Sequence, residues 1–317
     1  MLRPDEPARA AAPSQKLPSP GLSSVLWHSP YILLTFAVLF WSGNFIVGRA
    51  TAGVVPPVAL AFWRWTIGLA LVCCLGARHI RRDWSTLKRS WRILLVLGAL
   101  GIAAFNTLVY VGLQTTTAMN ALLMQSAMPA VILAAVFLLH SERPSAGQAI
   151  GVAISICGVV AIAARGDLQT LAALSINAGD AWVLAAVVAY AVYSALLRKR
   201  PSVHPLSFLA AIFTIGSAML LPLYLHEHLM VAKVQPVPLA YFAIAYVAIF
   251  PGFLSYLLYN RGVELVGANA AGHFMHLMPI FGSVLAIAVL GEHLALFHVI
   301  GAALIGSGLM LATVRWS

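Results

Sequence analysis

Charge is what this chain lacks. Only 9% of its 317 residues are Asp, Glu, Lys or Arg, and nine of them are acidic. Beside 61% hydrophobic residues and a mean hydropathy of +0.92, this excludes an ordinary water-soluble domain, whose charged share is about 25%. Cysteine is scarce too. Cys73, Cys74 and Cys157 sit in apolar sequence without metal-type spacing, which argues against a zinc framework or a disulfide scaffold, and they read as small buried hydrophobes. There is no His-Glu-x-x-His, no Gly-x-Ser-x-Gly and no cluster of carboxylates. An intramembrane enzyme would need such a nucleophile, base or metal set, so the expectation is a non-enzyme with no cofactor and no metal.

What is present is apolar length. A helix needs about 20 apolar residues to cross a bilayer, and ten such runs are centred near 31–50, 58–77, 93–113, 119–139, 147–164, 181–197, 206–225, 239–260, 270–290 and 295–314. Lipid-facing strands would alternate apolar and polar residues instead. The fold predicted is an all-α polytopic membrane protein of ten transmembrane helices. Residues 1–29, rich in Pro, Ala and Ser, lack the apolar core of a signal peptide and read as a disordered cytoplasmic tail.

The net charge of +10 does not indicate nucleic acid, because the basic residues lie between the apolar runs. With ten spans, Arg78, Arg81, Arg82, Lys88, Arg89, Arg92, Arg143, Arg198, Lys199, Arg200, Arg261, Arg315 and the tail residues Arg3, Arg9 and Lys16 share one side; Arg49, Arg165 and Lys233 lie on the other. Positive loops stay cytoplasmic. Both termini are therefore expected inside, and the reading is a multi-pass protein of a bacterial inner membrane. Trp84 and Trp91, among the bases of the 78–92 loop, suit the membrane–water interface.

The chain also nearly repeats itself. Residues 98–160 laid over 248–310 match at eleven positions, including Gly112/Gly262, Met128/Met278, Pro129/Pro279, Glu142/Glu292, Gly151/Gly301 and Gly158/Gly308. This divides the chain into a first five-helix unit at 30–165, an extracytoplasmic linker at 166–180 and a second unit at 181–317. Five is odd, so the second unit would be inverted relative to the first, as in carriers that alternate between the two sides of a membrane.

The doubled unit, the Phe-Trp-Ser-Gly-Asn-Phe run at 40–45, Arg64 between Trp63 and Trp65, and the Pro129/Glu142/Gly151 and Pro279/Glu292/Gly301 patterns together resemble the drug/metabolite transporter superfamily, in its ten-helix EamA-type branch. Ser141 stands where the second copy has the usual Gly291. Within that family the chain is most similar to aromatic amino acid exporters. The resemblance implies export of small organic molecules through a central cavity formed by helices 1, 3, 4, 6, 8 and 9, and aromatic cations such as methyl viologen as alternative cargo.

Read from the residues themselves, Asn106 and Tyr110 share one helix face, and their repeat partners Tyr256 and Asn260 share another. Inversion would set the two pairs facing each other, where Asn and Tyr would hold a zwitterion or simply join helices. His273 and His276 would bind substrate or relay protons. Trp41, Asn44, Phe45, Tyr190 and Tyr193 are further wall candidates or packing residues. Pro129 and Pro279 are expected well inside helices 4 and 9, as hinges or fixed bends. Arg64 reads as an interfacial structural cation, Glu142 and Glu292 as helix-end caps or ion-pair partners, and Gly151, Gly158, Gly301, Gly306 and Gly308 as close-packing positions. Asp180 starts helix 6, and no acidic residue is clearly membrane-central. A nearly neutral, aromatic and amide-lined cavity is thus expected, suited to neutral or zwitterionic cargo. The predicted partners are a small-molecule substrate and the bilayer, with monomer and homodimer both open. A channel or an intramembrane enzyme are the rival classes.

Overall fold

The computed structural model describes residues 26–140, 145–165, 177–266 and 274–313. The tail to residue 25, most of the predicted linker, Glu142, Arg143 and His273 lie outside the described residues. The described chain is helical throughout: α1 Pro30–Ala50, α2 Pro57–Arg89, α3 Trp91–Gly112, α4 Ala118–Ser126, α5 Met128–His140, α6 Ala146–Ala163, α7 Ala178–Leu196, α8 Pro205–His226, α9 Pro238–Val266, α10 Leu277–Leu290 and α11 Leu296–Thr313. Among the described residues, seven helices are long and apolar enough to cross a membrane. An eighth span forms if α4 and α5, bent by 47°, count as one, and two shorter apolar helices end the chain. Their outward faces carry exposed Tyr31, Leu75, Leu138, Phe242 and Leu296, as a surface against lipid tails requires.

Local chemistry sets the helix starts. Proline occupies the first turn of α1, α2, α8 and α9, where no N–H is missed. Thr117 caps α4, Asn177 caps α7, and Ser145 with Gln148 forms a capping box on α6. Gly291 ends α10 with φ 66°, a left-handed turn that favours glycine and returns the chain sharply.

Four features differ from expectation. The basic segment after residue 77 is not a loop: α2, 33 residues long, runs on through it to Arg89, since neither Gly nor Pro occurs between residues 78 and 89. Trp84 and Trp91 are exposed there with Lys88 and Arg92 over their rings at 5.2 and 5.6 Å. The three cysteines are free and exposed rather than buried, because their helix faces look outward to lipid. Pro129 and Pro279 lie in the first turns of α5 and α10, not deep within helices. The break precedes each of them, at Ala127 and at the 3₁₀ turn Phe274–His276. Gly306, expected in close packing, faces open space.

Both α3 and α9 contain a π-helical turn, at Ala99–Ala104 and Phe250–Leu254. The extra residue widens the helix and displaces carbonyls from the regular ladder. Helices α6 and α11 pack closely. A Cβ on Gly158 would lie 2.7 Å from the Gly301 carbonyl, and one on Gly308 would lie 2.4 Å from that of Gly151. Elsewhere α8 packs along α2, while α9 and α10 flank α1.

At the basic end, the His204 imidazole Nδ1 caps α8 by accepting from the Leu206 N–H at 3.2 Å, and its ring stacks on His79 at 3.7 Å. The Asp83 carboxylate accepts from the His204 N–H. Burial, then the neighbouring His79, hold His204 below the usual imidazole range. A depressed base contributes stability above its unfolded pKa of about 6.5 and loses it as pH falls through the folded value. The unfolding midpoint in detergent should therefore fall more steeply on acidification below about pH 6.5 than that of His204→Asn, which keeps a capping oxygen. Parallel curves would rule this out.

Candidate functional site

The Phe-Trp-Ser-Gly-Asn-Phe run resolves into separate contacts on α1. The Trp41 Nε1–H donates to the Pro251 carbonyl at 3.2 Å, in the π turn of α9. The Ser42 hydroxyl lies 3.1 Å from the Met278 carbonyl of α10 and 3.0 Å from that of Val38. Gly43 leaves room for the Tyr246 hydroxyl, which a Cβ would meet at 2.1 Å. Asn44 turns inward, and its Oδ1 accepts from the Tyr110 hydroxyl at 2.6 Å and from Arg64.

Arg64 is the centre of this arrangement. Its Nη1 donates to Asn44 and, at 2.9 Å, to the Tyr110 oxygen; its Nη2 donates to the Pro251 carbonyl at 3.3 Å. The guanidinium stacks over Trp65 at 4.7 Å. Arg64 is 3% exposed, Asn44 4% and Tyr110 0%, and the Arg64 Nε has no hydrogen-bond partner. Arg64 is therefore not an interfacial anchor. Three neutral oxygens and an aromatic face draw it inward, so the interior is not neutral as expected but holds a cation. No carboxylate pairs with it among the described residues.

The other predicted wall residues divide. Tyr256 meets Trp41 edge-on at 5.7 Å and Phe213 at 6.4 Å, so it belongs with the Arg64 cluster. Tyr259 also packs on Trp41, at 5.3 Å. Phe45 is buried in the core, and Asn106 is buried one turn from Tyr110. Asn260 is exposed and lines a small separate cavity of ≈30 Å³ with Tyr256, Phe213 and Leu206. Of the four residues expected to face each other, Tyr110 is engaged by Asn44 and Arg64, and Tyr256 packs on Trp41 beside them. Tyr193 presses against Gly101 in the π turn of α3, where a Cβ would lie 2.6 Å from its ring, and packs at a tilt against Tyr190 at 5.3 Å. His276 is exposed on the 3₁₀ turn before α10.

At the opposite end from the basic segment, the helix ends are tied by side chains. The Glu292 carboxylate accepts from the Ala118 and Met119 N–H groups at 2.8 and 2.9 Å. It caps α4 rather than α11, because the left-handed Gly291 directs it there. Glu227 does the same for α2 through Val58 and Ala59, at 3.1 and 2.7 Å. The Arg49 Nη1 donates to the Leu113 and Gln114 carbonyls at 2.9 and 3.0 Å, capping α3. Each places charge where a helix dipole favours it.

Sequence reasoning missed a buried polar chain at this end. The Ala295 N–H donates to the His298 Nδ1 at 2.9 Å, so the neutral ring carries its proton on Nε2 and donates it to the Asn120 Oδ1 at 2.9 Å. Asn120 then donates to Asp180, which also accepts from Thr116. Asp180 is fully buried. The chain clamps the first turn of α4 to α7 and α11. Its members sit about 60 and 178 residues apart, a spacing with no local sequence signal.

Residues 28–164, and again 177–314, match the EamA-like transporter family. The chain is 29% identical over 287 residues to the uncharacterized transporter YyaM of Bacillus subtilis (strain 168), covering 89% of this chain and 93% of that one. It is 25% identical over 291 residues to an uncharacterized transporter of Archaeoglobus fulgidus, covering 90% and 97%. A crystal structure at 22% identity superposes with a TM-score of 0.60 over 90% of this chain and 96% of that one, a likeness of fold alone.

Proposed function

The chain belongs to the EamA-like transporter family and is a multi-pass membrane transporter; from that premise we propose that it exports aromatic or other neutral amino acids by alternating access around the Arg64 cluster. The observation that carries this reading is a buried guanidinium with no carboxylate partner among the described residues, set among Trp41, Tyr110, Tyr256 and Trp65. A buried cation is costly unless it is paired. A cargo carboxylate supplies the missing anion, and the rings supply a surface for an aromatic body. The same charge repels methyl viologen-like cations, which favours the zwitterion over that alternative.

The ten-span, inverted-repeat architecture is part of this proposal. The family matches twice in tandem, the two π turns fall at the repeat offset, and a break precedes Pro129 and Pro279 alike. Counting the bent pair once and each short terminal helix as a span gives ten. The basic end is then cytoplasmic.

Counterflow tests the reading. Proteoliposomes loaded with unlabelled phenylalanine should transiently concentrate labelled phenylalanine or tryptophan, and should not concentrate labelled methyl viologen. Flux that neither saturates nor shows counterflow would instead indicate a channel. Counterflow with methyl viologen but not with amino acids would reverse the choice of cargo.

A further inference from the structure

At the end of the bundle opposite the basic segment, an open cavity of ≈560 Å³ is lined by Arg49, Ala52, Gly53, Gln114, Thr117 and Glu292. That size lies within the roughly 300–1,000 Å³ of small-molecule sites. Among the described residues it contains one cation and one anion, and these do not pair with each other: no ion pair joins Arg49 to Glu292. Both are rigidly held. Arg49 spends only Nη1 on the end of α3, and among the described residues its Nη2 and Nε have no hydrogen-bond partner. Neither nitrogen is sealed from solvent, and the Arg49 side chain lines the cavity. Glu292 spends one lone pair of each oxygen on α4 and keeps acceptor capacity on both. The polar side chains of Gln114 and Thr117 complete the wall.

We propose that this vestibule is a second binding site, specific for the head group of a zwitterion: Arg49 receives the carboxylate through Nη2 and Nε, and Glu292 receives the ammonium. Two fixed, opposite, mutually unpaired charges across one cavity match a ligand carrying both charges close together. A plain anion or cation would satisfy one wall and face a like charge on the other. The site lies apart from the buried Arg64 cluster. As a station for cargo at the far mouth, it rests on the amino acid reading above. Its head-group specificity does not.

The probe is glycine, which carries both charges and no aromatic body. In a Cys73→Ala, Cys74→Ala, Cys157→Ala background with Ala52→Cys, the rate of maleimide labelling in nanodiscs reports occupancy of the vestibule. Glycine should slow labelling saturably, with acetate and methylammonium weaker by about tenfold or more, as expected when one charge-assisted contact is lost. Arg49→Gln and Glu292→Gln should each weaken glycine protection similarly. Comparing the three probes needs no charge variant, so a variant that fails to fold leaves the test standing. Absence of protection by glycine, or equal protection by acetate, would overturn the site. Sided counterflow then tests its place in transport: Glu292→Gln should raise the half-saturation for phenylalanine at the far face about tenfold and leave the basic face unchanged. If the unmutated protein shows no phenylalanine counterflow, the cargo reading fails while glycine protection still decides the site.

Discussion

Arg64→Met should fold at least as stably as the unmutated protein, yet reduce phenylalanine counterflow on the order of 100-fold. The two halves of this result have one cause. Arg64 is sealed from water, lacks a carboxylate partner among the described residues and leaves its Nε unsatisfied. Replacing such a buried charge by an apolar chain of similar length is often neutral or stabilising. Its removal strands little, because the Asn44 oxygen keeps the Tyr110 hydroxyl and the Pro251 carbonyl keeps Trp41. A charge-assisted hydrogen bond to cargo is worth about 1.5–3 kcal/mol, or roughly 10- to 150-fold at 1.4 kcal/mol per tenfold. Arg64→Lys should also be poor, since one ammonium cannot reproduce a planar fork spanning Asn44, Tyr110 and Pro251. Thermal unfolding and counterflow on the same preparations decide the matter. An Arg64→Met protein that transports normally would remove Arg64 from the site; one that fails to fold would make Arg64 a structural strut.

The second large effect is structural. Gly158→Val should destabilise the protein by about 3 kcal/mol or more, at the upper end for overpacking, whereas Gly306→Ala on the facing helix should be neutral or slightly stabilising. At Gly158 the obstacle is the Gly301 carbonyl at 2.7 Å, with Ile305 at 2.8 Å. Backbone cannot rotate away as the end of a flexible side chain does, so α6 and α11 would have to separate. At Gly306 nothing lies within 4 Å of the added Cβ, and the alanine gains helix propensity. Unfolding midpoints of the two variants in the same detergent test the pair. Equal losses would mean that the α6–α11 contact is looser than drawn here.

Much of this was legible in sequence for a simple reason. Lipid offers no hydrogen bonds, so an apolar run of sufficient length must become a helix whatever it packs against. Composition therefore specified an all-helical membrane protein. The paired Gly, Pro and Glu residues pointed to a duplicated unit, and the family matches two successive stretches. Glu292 was legible as a helix-end cap or an ion-pair partner, and it caps a helix. Its recipient, the first turn of α4, lies 173 residues or more away, and no local pattern could identify it. The prolines at 129 and 279 signalled breaks, but a missing N–H is harmless in a first turn, so each break fell just before its proline.

What tertiary structure alone decided was the inside of the bundle. In so apolar a chain every helix face is hydrophobic, so sequence cannot tell which face meets lipid and which meets protein. Cys73 and Cys157 went outward and Arg64 inward for that reason. The sequence by itself determined that the chain lives in a membrane and is built from a repeated helical unit, because those follow from length and composition. Packing decided that a lone cation sits among neutral oxygens and rings, and that Arg49 and Glu292 share one vestibule. Those contacts depend on how far apart in the chain two residues can be while still touching, which only the folded backbone specifies.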